Sequence, residues 1–350
     1  MEANNRLLTS RPGWVNLRSN DIIYQYGDRI VYKIRKGPDE FILKRTAASR
    51  HQSEAATHQF LAERTAIPAP IAYGEWLSSD RRYHYLLEGH IAGQTLGDCW
   101  GQLSMDDKID IAEQITAYMS RLSRFTSDRM QSISGTRLPN NCFVARPADP
   151  RGHLSGRWTS DDDIFQYEFR PALVRSGVSA ELIGALRRAM PPCRGELAFT
   201  HCDLYVGNIM VDPRRGRVTA IIDWESAGFW PEWFQYARIT HGCSRDDTEW
   251  KWILSQVQQP TIRHADHGRV WWDTMQTFMY CSDSLQAKAW LRLLGQYLRG
   301  EKSSKALKDY QKIDGEGMRE QIARDEARLM RNNRGGTGNE GYYSTVIGRF

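Results

Sequence analysis

Apolar and polar positions along the N-terminal part of the chain fall into short runs separated by strong turn formers. Ile22 to Tyr26, Ile30 to Arg35 and Glu40 to Arg45 are β-branched or aromatic runs, divided by Gly27-Asp28 and Gly37-Pro38-Asp39. That pattern predicts a three-stranded meander. From Ser53 to Glu63 the apolar residues Ala55, Ala56, Phe60 and Leu61 take near-helical spacing, which predicts a helix. Pro68 and Pro70 end it and start an extended segment toward Ala72-Tyr73-Gly74, and Tyr83 to Leu87 reads as a further strand closed by Glu88-Gly89-His90. The pattern then changes. Ser104-Met105-Asp106-Asp107 has the form of a helix start, and Ile109, Ile111, Ala112, Ile115, Met119 and Leu122 continue the apolar face of a long helix. The remainder reads as mainly helical, interrupted by a Gly-, Pro- and Asn-rich loop from about Ser132 to Arg157.

These elements predict an α+β protein of two lobes. An N-terminal extension covers residues 1–20, a small β-rich lobe residues 21–95, and a large helical lobe residues 96–330, with the boundary at about Gly93 to Gly97. Arg319 to Arg331 alternates charge signs at helical spacing, as a solvated surface helix does. Residues 331–350 lack a core pattern and read as a disordered tail.

Composition narrows the class without naming an activity. A chain of 350 residues with 41% apolar and 25% charged residues can bury a sizeable core. A net charge of +5, with no dominant basic block, gives no reason to expect nucleic acid as a partner. The six cysteines are dispersed without a C-x-x-C pair, which fits a reducing compartment. No run reaches the roughly 18 apolar residues of a membrane span, and Met1 to Arg6 has no apolar signal core. The expectation is a cytoplasmic protein with no membrane partner.

One stretch carries chemistry. Thr200-His201-Cys202-Asp203-Leu204-Tyr205-Val206-Gly207-Asn208 is followed by the apolar strand Val218 to Ile222 and by Asp223-Trp224-Glu225. The turn Pro213-Arg214-Arg215-Gly216 makes a hairpin of this region, which returns Asp223 to the neighbourhood of Asn208. Phosphoryl transfer from a nucleotide needs such a set: a carboxylate to orient or deprotonate the attacking hydroxyl, and an amide with a second carboxylate to hold magnesium. Asp203 is the candidate for the first role, and Asn208 and Asp223 for the second. His201 reads as a brace for the loop. The expected activity is an ATP- and Mg2+-dependent kinase acting on a small-molecule hydroxyl. The alternative is a catalytically silent scaffold, although a scaffold needs none of these three side chains.

The segment Phe199 to Trp233 resembles the aminoglycoside phosphotransferase family, also called the phosphotransferase enzyme family, of the protein-kinase-like superfamily. It is most similar to fungal-type members. The matching residues are Phe199-Thr200-His201, the Asp203 to Asn208 spacing, Asn208-Ile209-Met210-Val211-Asp212, Ile221-Ile222-Asp223-Trp224-Glu225 and Trp230-Pro231-Glu232-Trp233. Thr65-Ala66-Ile67-Pro68-Ala69-Pro70 and Leu103-Ser104 with Ile111-Ala112-Glu113-Gln114 extend the resemblance over roughly residues 25 to 240.

The resemblance implies a bilobal protein-kinase-like fold and a small-lobe lysine with an acidic partner. Lys44 and Glu54 match those positions, with Lys33 and Lys36 as competing lysines. It also implies that adenine meets backbone groups near Glu88 to His90. Three positions depart from the family pattern. Cys202 stands where glycine is usual, the Tyr26-Gly27-Asp28-Arg29 turn lacks G-x-G-x-x-G, and Leu87-Glu88-Gly89-His90 replaces an aromatic hinge. For the acceptor, Trp224, Glu225, Phe229, Trp230, Trp233, Phe234, Trp250, Trp252, Trp271 and Trp272 are candidate stacking or contact residues. Asp161-Asp162-Asp163 and Asp246-Asp247 are candidate attractors of an amine. For each, packing or a solvated helix start is the competing reading.

Overall fold

Two tight turns generate the first sheet. β1 (Ile22–Tyr26), β2 (Arg29–Lys36) and β3 (Asp39–Ala47) are joined by two-residue turns, because Tyr26 pairs with Arg29 and Lys36 with Asp39. Gly27 and Gly37 take φ of 58° and 61° there, a region that glycine enters without Cβ crowding. These strands are in the computed structural model, which describes residues 7–48, 54–138, 158–175, 177–193, 197–238, 244–258 and 265–281, and Gln296. The charged segment from Arg319, the tail from Arg331 and most of the Ser132 to Arg157 loop lie outside the described residues.

The meander expected from the turn residues is present, and so is the first helix, α1 (Glu54–Arg64). β4 (Ala72–Leu77) and β5 (Tyr83–Gly89) complete an antiparallel sheet of order β1-β2-β3-β5-β4. Alternation along β2 buries Ile30, Tyr32 and Ile34 against Leu43, Trp76 and Leu87. The small lobe therefore has its own apolar centre.

β6 (Gln94–Thr95) and α2 (Leu96–Cys99) lead into α3 (Met105–Leu122). α3 starts where the sequence indicates. The Asp107 N–H donates to the Ser104 hydroxyl, and the Ser104 N–H donates back to the Asp107 carboxylate, each at 3.1 Å. β7 (Thr126–Ser127), α4 (Asp161–Ile164), a π-helical turn, α5 (Arg170–Arg175) and α6 (Ala180–Arg188) follow. Then come β8 (Leu197–Thr200), β9 (Ile209–Asp212), β10 (Arg217–Ile221) and β11 (Gly228–Trp230). The chain closes its described part with α7 (Glu232–Arg238), α8 (Arg245–Gln258) and α9 (Ala265–Cys281). Two small sheets, β10-β9-β6 and β11-β8-β7, sit within this helical lobe. Apart from the β10 strand, the sequence pattern does not announce them, because two- to five-residue strands are too short to display alternation.

The lobe's core is aromatic. Trp230, Trp233, Phe234, Tyr236, Trp250 and Trp271 are buried, and Phe169 meets Trp271 edge to face at 5.1 Å. Burying each such ring fully contributes about 1.5–3 kcal/mol. Trp224, Phe229 and Trp272 are also buried, which leaves Trp252, 61% exposed, as the accessible member of the aromatic set proposed for the acceptor. α1 joins the lobes: Phe60 packs edge to face on Phe125 at 4.8 Å and on Phe199 at 5.3 Å.

Four of the five aspartates in the two acidic clusters work structurally. Asp161 accepts from the Cys193 N–H at 3.1 Å, Asp162 pairs with Arg187 at 2.7 Å, and Asp163 bonds Ser160 at 2.8 Å. Asp246 is exposed, whereas Asp247 is buried, accepts from the Val206 N–H at 3.0 Å and pairs with Lys251 at 3.2 Å. Trp250 also donates to the Leu204 carbonyl at 3.1 Å, so α8 holds the loop from Asp203 to Asn208 from below. Asp247→Ala removes a buried acceptor from both a backbone N–H and an ammonium. Denaturant unfolding should show a loss of about 3–5 kcal/mol, with Asp247→Asn recovering part of it through the amide oxygen.

Candidate functional site

The site forms where the β3–α1 side of the small lobe meets the β9–β10 hairpin of the large lobe. β3 carries Lys44 inward, and α1 begins with Glu54. Glu54 is buried, and its Oε1 accepts from Lys44 Nζ at 2.6 Å and from the Trp224 N–H at 3.0 Å. Of the three lysines in contention, Lys33 pairs instead with Glu40 at 2.9 Å, and Lys36 lies over the Trp14 ring at 5.2 Å. Lys44 also approaches Glu88 at 3.3 Å and Asp223 at 3.4 Å. One ammonium thus faces three carboxylates.

Loop geometry brings the other side chains in. The β9–β10 pair places Ile209 opposite Ile221, and the Ile222 N–H donates to the Asn208 carbonyl at 2.9 Å. Asp223 follows with φ 62° and ψ 61°, a left-handed conformation uncommon for a non-glycine residue, and starts the 3-10 turn Trp224–Ser226. Asn208 Nδ2 donates to the Asp203 carbonyl at 2.9 Å and to Asp203 Oδ2 at 3.2 Å. With its nitrogen engaged this way, the Asn208 amide oxygen is left as a hard donor. His201 is buried. Its Nδ1 accepts from the Asp203 N–H at 3.1 Å, and Nε2 lies 3.0 Å from the Ile222 carbonyl. Those partners select the neutral tautomer with the proton on Nε2. Burial holds the His201 pKa below its ordinary value, so the ring serves as a brace between the loop and the hairpin.

Cys202 shows how a side chain is accommodated at the family's glycine position. Its φ is 64°, and the residue is buried. The Cys202 N–H donates to Gln235 Oε1 at 3.0 Å, and the same oxygen accepts from Thr200 Oγ1. Arg238 donates to the Cys202 carbonyl at 3.4 Å. Backbone strain of order 1–3 kcal/mol persists because α7 holds both sides of the peptide.

Electrostatics follow from burial. Four carboxylates, Glu54, Glu88, Asp223 and Glu225, face two cations, Lys44 and Arg29. Burial opposes the Lys44 charge, yet Glu54, Glu88 and Asp223 together hold its pKa well above the ordinary lysine value. Burial likewise opposes ionisation of Asp223, but Lys44 and Arg29 keep its carboxyl below the ordinary range. Burial wins at the other carboxyls. It raises Glu54 despite Lys44, raises Glu88 to about 8, and raises Glu225 to about 7 despite Arg29.

Two members of this centre were not read from the sequence. Arg29, at the start of β2, ion-pairs with Glu225 across 196 residues, with Nη2 bonding Oε1 and, at 2.6 Å, Oε2. Its position directly after the Gly27-Asp28 turn was the available signal. His58, one turn after Glu54, is buried with Nε2 3.9 Å from Glu54 and Nδ1 3.6 Å from Glu88. Burial depresses its pKa to about 3, with Lys44 adding to the effect. Ligand atoms of Glu54, His58 and Glu88 lie within 4.8 Å of one another. A divalent cation there would crowd the ammonium that both carboxylates already hold, and neither His58 nitrogen is within hydrogen-bond distance of those carboxylates.

Glu88 and His90 stand at the end of β5 and just after it. Glu88 lies within β5, between Ile42 of β3 and Ala72 of β4, and turns its side chain toward Lys44. The Gly89 N–H donates to Ile71 at 2.9 Å, and the His90 N–H to Glu40 at 3.2 Å, with the His90 ring 3.1 Å from the same Glu40. Both backbone donors are engaged within the small lobe.

A carboxyl whose folded pKa exceeds its unfolded value stabilises most below the unfolded value, and that contribution fades as pH rises through the folded value. For Glu88 the window runs from about 4.5 to about 8. Glu88→Gln lacks this titration. Denaturant unfolding at several pH values should show the variant gaining on the wild type between pH 5 and 8, by at most about 1.4 kcal/mol per pH unit. Parallel stability curves would refute a buried, protonated Glu88.

Comparison with known proteins gives one family and several solved structures of low sequence identity. A model of the phosphotransferase enzyme family matches residues 26–269. No curated protein sequence matches the chain. Among solved structures, aminoglycoside phosphotransferase APH(4)-Ia is 16% identical, covers 78% of this chain and 91% of its own, and has a TM-score of 0.49. ADP-bound APH(2'')-Ib is 11% identical over 78% and 90% of the two chains, with a TM-score of 0.46. The GDP complex of aminoglycoside 2'-phosphotransferase-IIIa is 15% identical over 79% and 90%, also at 0.46. Among the described residues no helix is long and apolar enough to cross a membrane. The family match spans most of the chain, includes both the Lys44–Glu54 pair and the Asp203–Asp223 region, and makes this protein a member of the phosphotransferase enzyme family.

Proposed function

We propose that this enzyme moves the γ-phosphoryl group of magnesium-bound ATP to a hydroxyl of a small molecule. The observation that carries the proposal is the convergence of Lys44, Glu54 and Asp223 on one centre, with Asp203 and Asn208 bonded together beside it. Lys44 would neutralise the α- and β-phosphates, held in place by Glu54. Asp203, partly exposed and oriented by Asn208 and His201, would accept or orient the proton of the attacking hydroxyl.

The residues fit a magnesium site. The Asp223 carboxylate and the Asn208 amide oxygen are hard oxygen donors, joined through the Ile222–Asn208 backbone bond, and Lys44 and Arg29 favour the ionised form of Asp223. When bound, magnesium would screen the phosphate charge and help align the γ-phosphoryl group. Positioning and charge neutralisation supply most of the rate in this chemistry. The acceptor is a hydroxyl compound. The buried aromatics and structurally engaged aspartates of the large lobe give no support to a cationic or amine acceptor.

Two substitutions separate the roles. Asp203→Ala should lower turnover by at least about 100-fold while leaving nucleotide affinity near wild type, read by coupled phosphotransferase assay and titration calorimetry. Near-normal turnover would remove Asp203 from its role. For Asp223, thermal unfolding with Mg-ATP at about 100 times its Kd should show a stabilisation of about 2.7 kcal/mol in the wild type. Asp223→Ala should lose the magnesium-dependent part. No shift in the wild type would favour the silent scaffold.

A further inference from the structure

Arg29 is the cation of the centre that no catalytic step above uses. It begins β2, directly after the Gly27-Asp28 turn, and reaches from the small lobe to Glu225 on the Trp224–Ser226 turn of the large lobe. Its guanidinium engages both Glu225 oxygens through Nη2, while Nε and Nη1 make no hydrogen bond among the described residues. A guanidinium offers five N–H donors in a planar fork, a shape that matches phosphate oxygens. Arg29 also lies in the field of Asp223 and Glu54, so it faces the same centre as Lys44. Its side chain is 24% exposed, which leaves it open to an anion entering the cleft.

The turn itself is the second observation. Lacking G-x-G-x-x-G, it presents few backbone N–H groups to an anion. Lys44 is shared among three carboxylates. A polyphosphate in this cleft therefore needs another cationic partner. We infer that Arg29 is a phosphate-binding residue for which Glu225 and the nucleotide phosphates compete. This rests on the kinase reading above. Glu225 then acts as a counter-ion that holds the guanidinium between the two lobes and weakens anion binding until the phosphates displace it.

The sign of two substitutions tests this. Titration calorimetry of the full chain with ATP in excess EDTA removes any part Glu225 plays toward magnesium. Arg29→Gln should weaken ATP binding about tenfold, the equivalent of one charge-assisted hydrogen bond. Arg29→Lys should recover part of that, because it keeps the charge without the fork. Glu225→Gln should tighten ATP binding several-fold by removing the competitor. If Arg29→Gln binds ATP as the wild type does, the Arg29 assignment falls while the kinase reading stands. If Glu225→Gln weakens binding as much as Arg29→Gln, the pair is only a structural tie and the inference falls. If the wild type binds ATP neither in EDTA nor with magnesium, both readings fall together. Should Arg29→Gln not fold, the comparison of Arg29→Lys with Glu225→Gln still reads the opposite signs.

Discussion

One buried oxygen, Glu54 Oε1, sets the relation between the two lobes at the site. It accepts from Lys44 on the small sheet at 2.6 Å and from the Trp224 backbone N–H of the large lobe at 3.0 Å. A carboxylate this deeply buried is tolerated only when its charge is compensated. Lys44 supplies the compensation and is itself held by Glu88 and Asp223. The helix that carries Glu54 is anchored to the large lobe by Phe60. The ammonium and the hairpin carboxylate are therefore not independent features. They share a partner, and moving either disturbs the other.

The loop opposite is held by different means. Asp203 and Asn208 are side chains of an irregular segment, and irregular backbone keeps its shape only when its polar groups are satisfied. His201 ties it to the hairpin, Asp247 and Trp250 tie it to α8, and Gln235 and Arg238 tie Cys202 to α7. Two left-handed residues, Cys202 and Asp223, flank the site. The aromatic mass of the large lobe makes this strain sustainable: Trp230, Trp233 and Phe234 pack under the strands and helix that fix the loop's ends. Those rings support the Asp203–Asn208 loop from within the core.

Part of this was legible in the linear chain. Turn residues and short apolar runs specify the meander, and the Ser104–Asp107 capping box marks the start of α3, because both depend on local backbone preferences. The spacing of Asp203, Asn208 and Asp223 was equally readable, since a single hairpin brings them together. The small sheets built from β6 and β7 were not, because two-residue strands acquire their partners only from the packing around them.

The same division runs through the site. Local order in the chain set the residue types and the chemistry they can perform, but long-range packing set their charge states and partners. Lys33, Lys36 and Lys44 look alike in sequence, and only the position of α1 against β3 selects Lys44. The Glu88 side chain belongs to a buried charge cluster because β5 lies between β3 and β4 and turns that side chain inward. The Arg29–Glu225 pair spans 196 positions and Asp247 reaches back 41 to Val206. Neither has a periodic or spacing signature, since burial and electrostatic pairing depend on distance in space, which the order of residues does not encode locally.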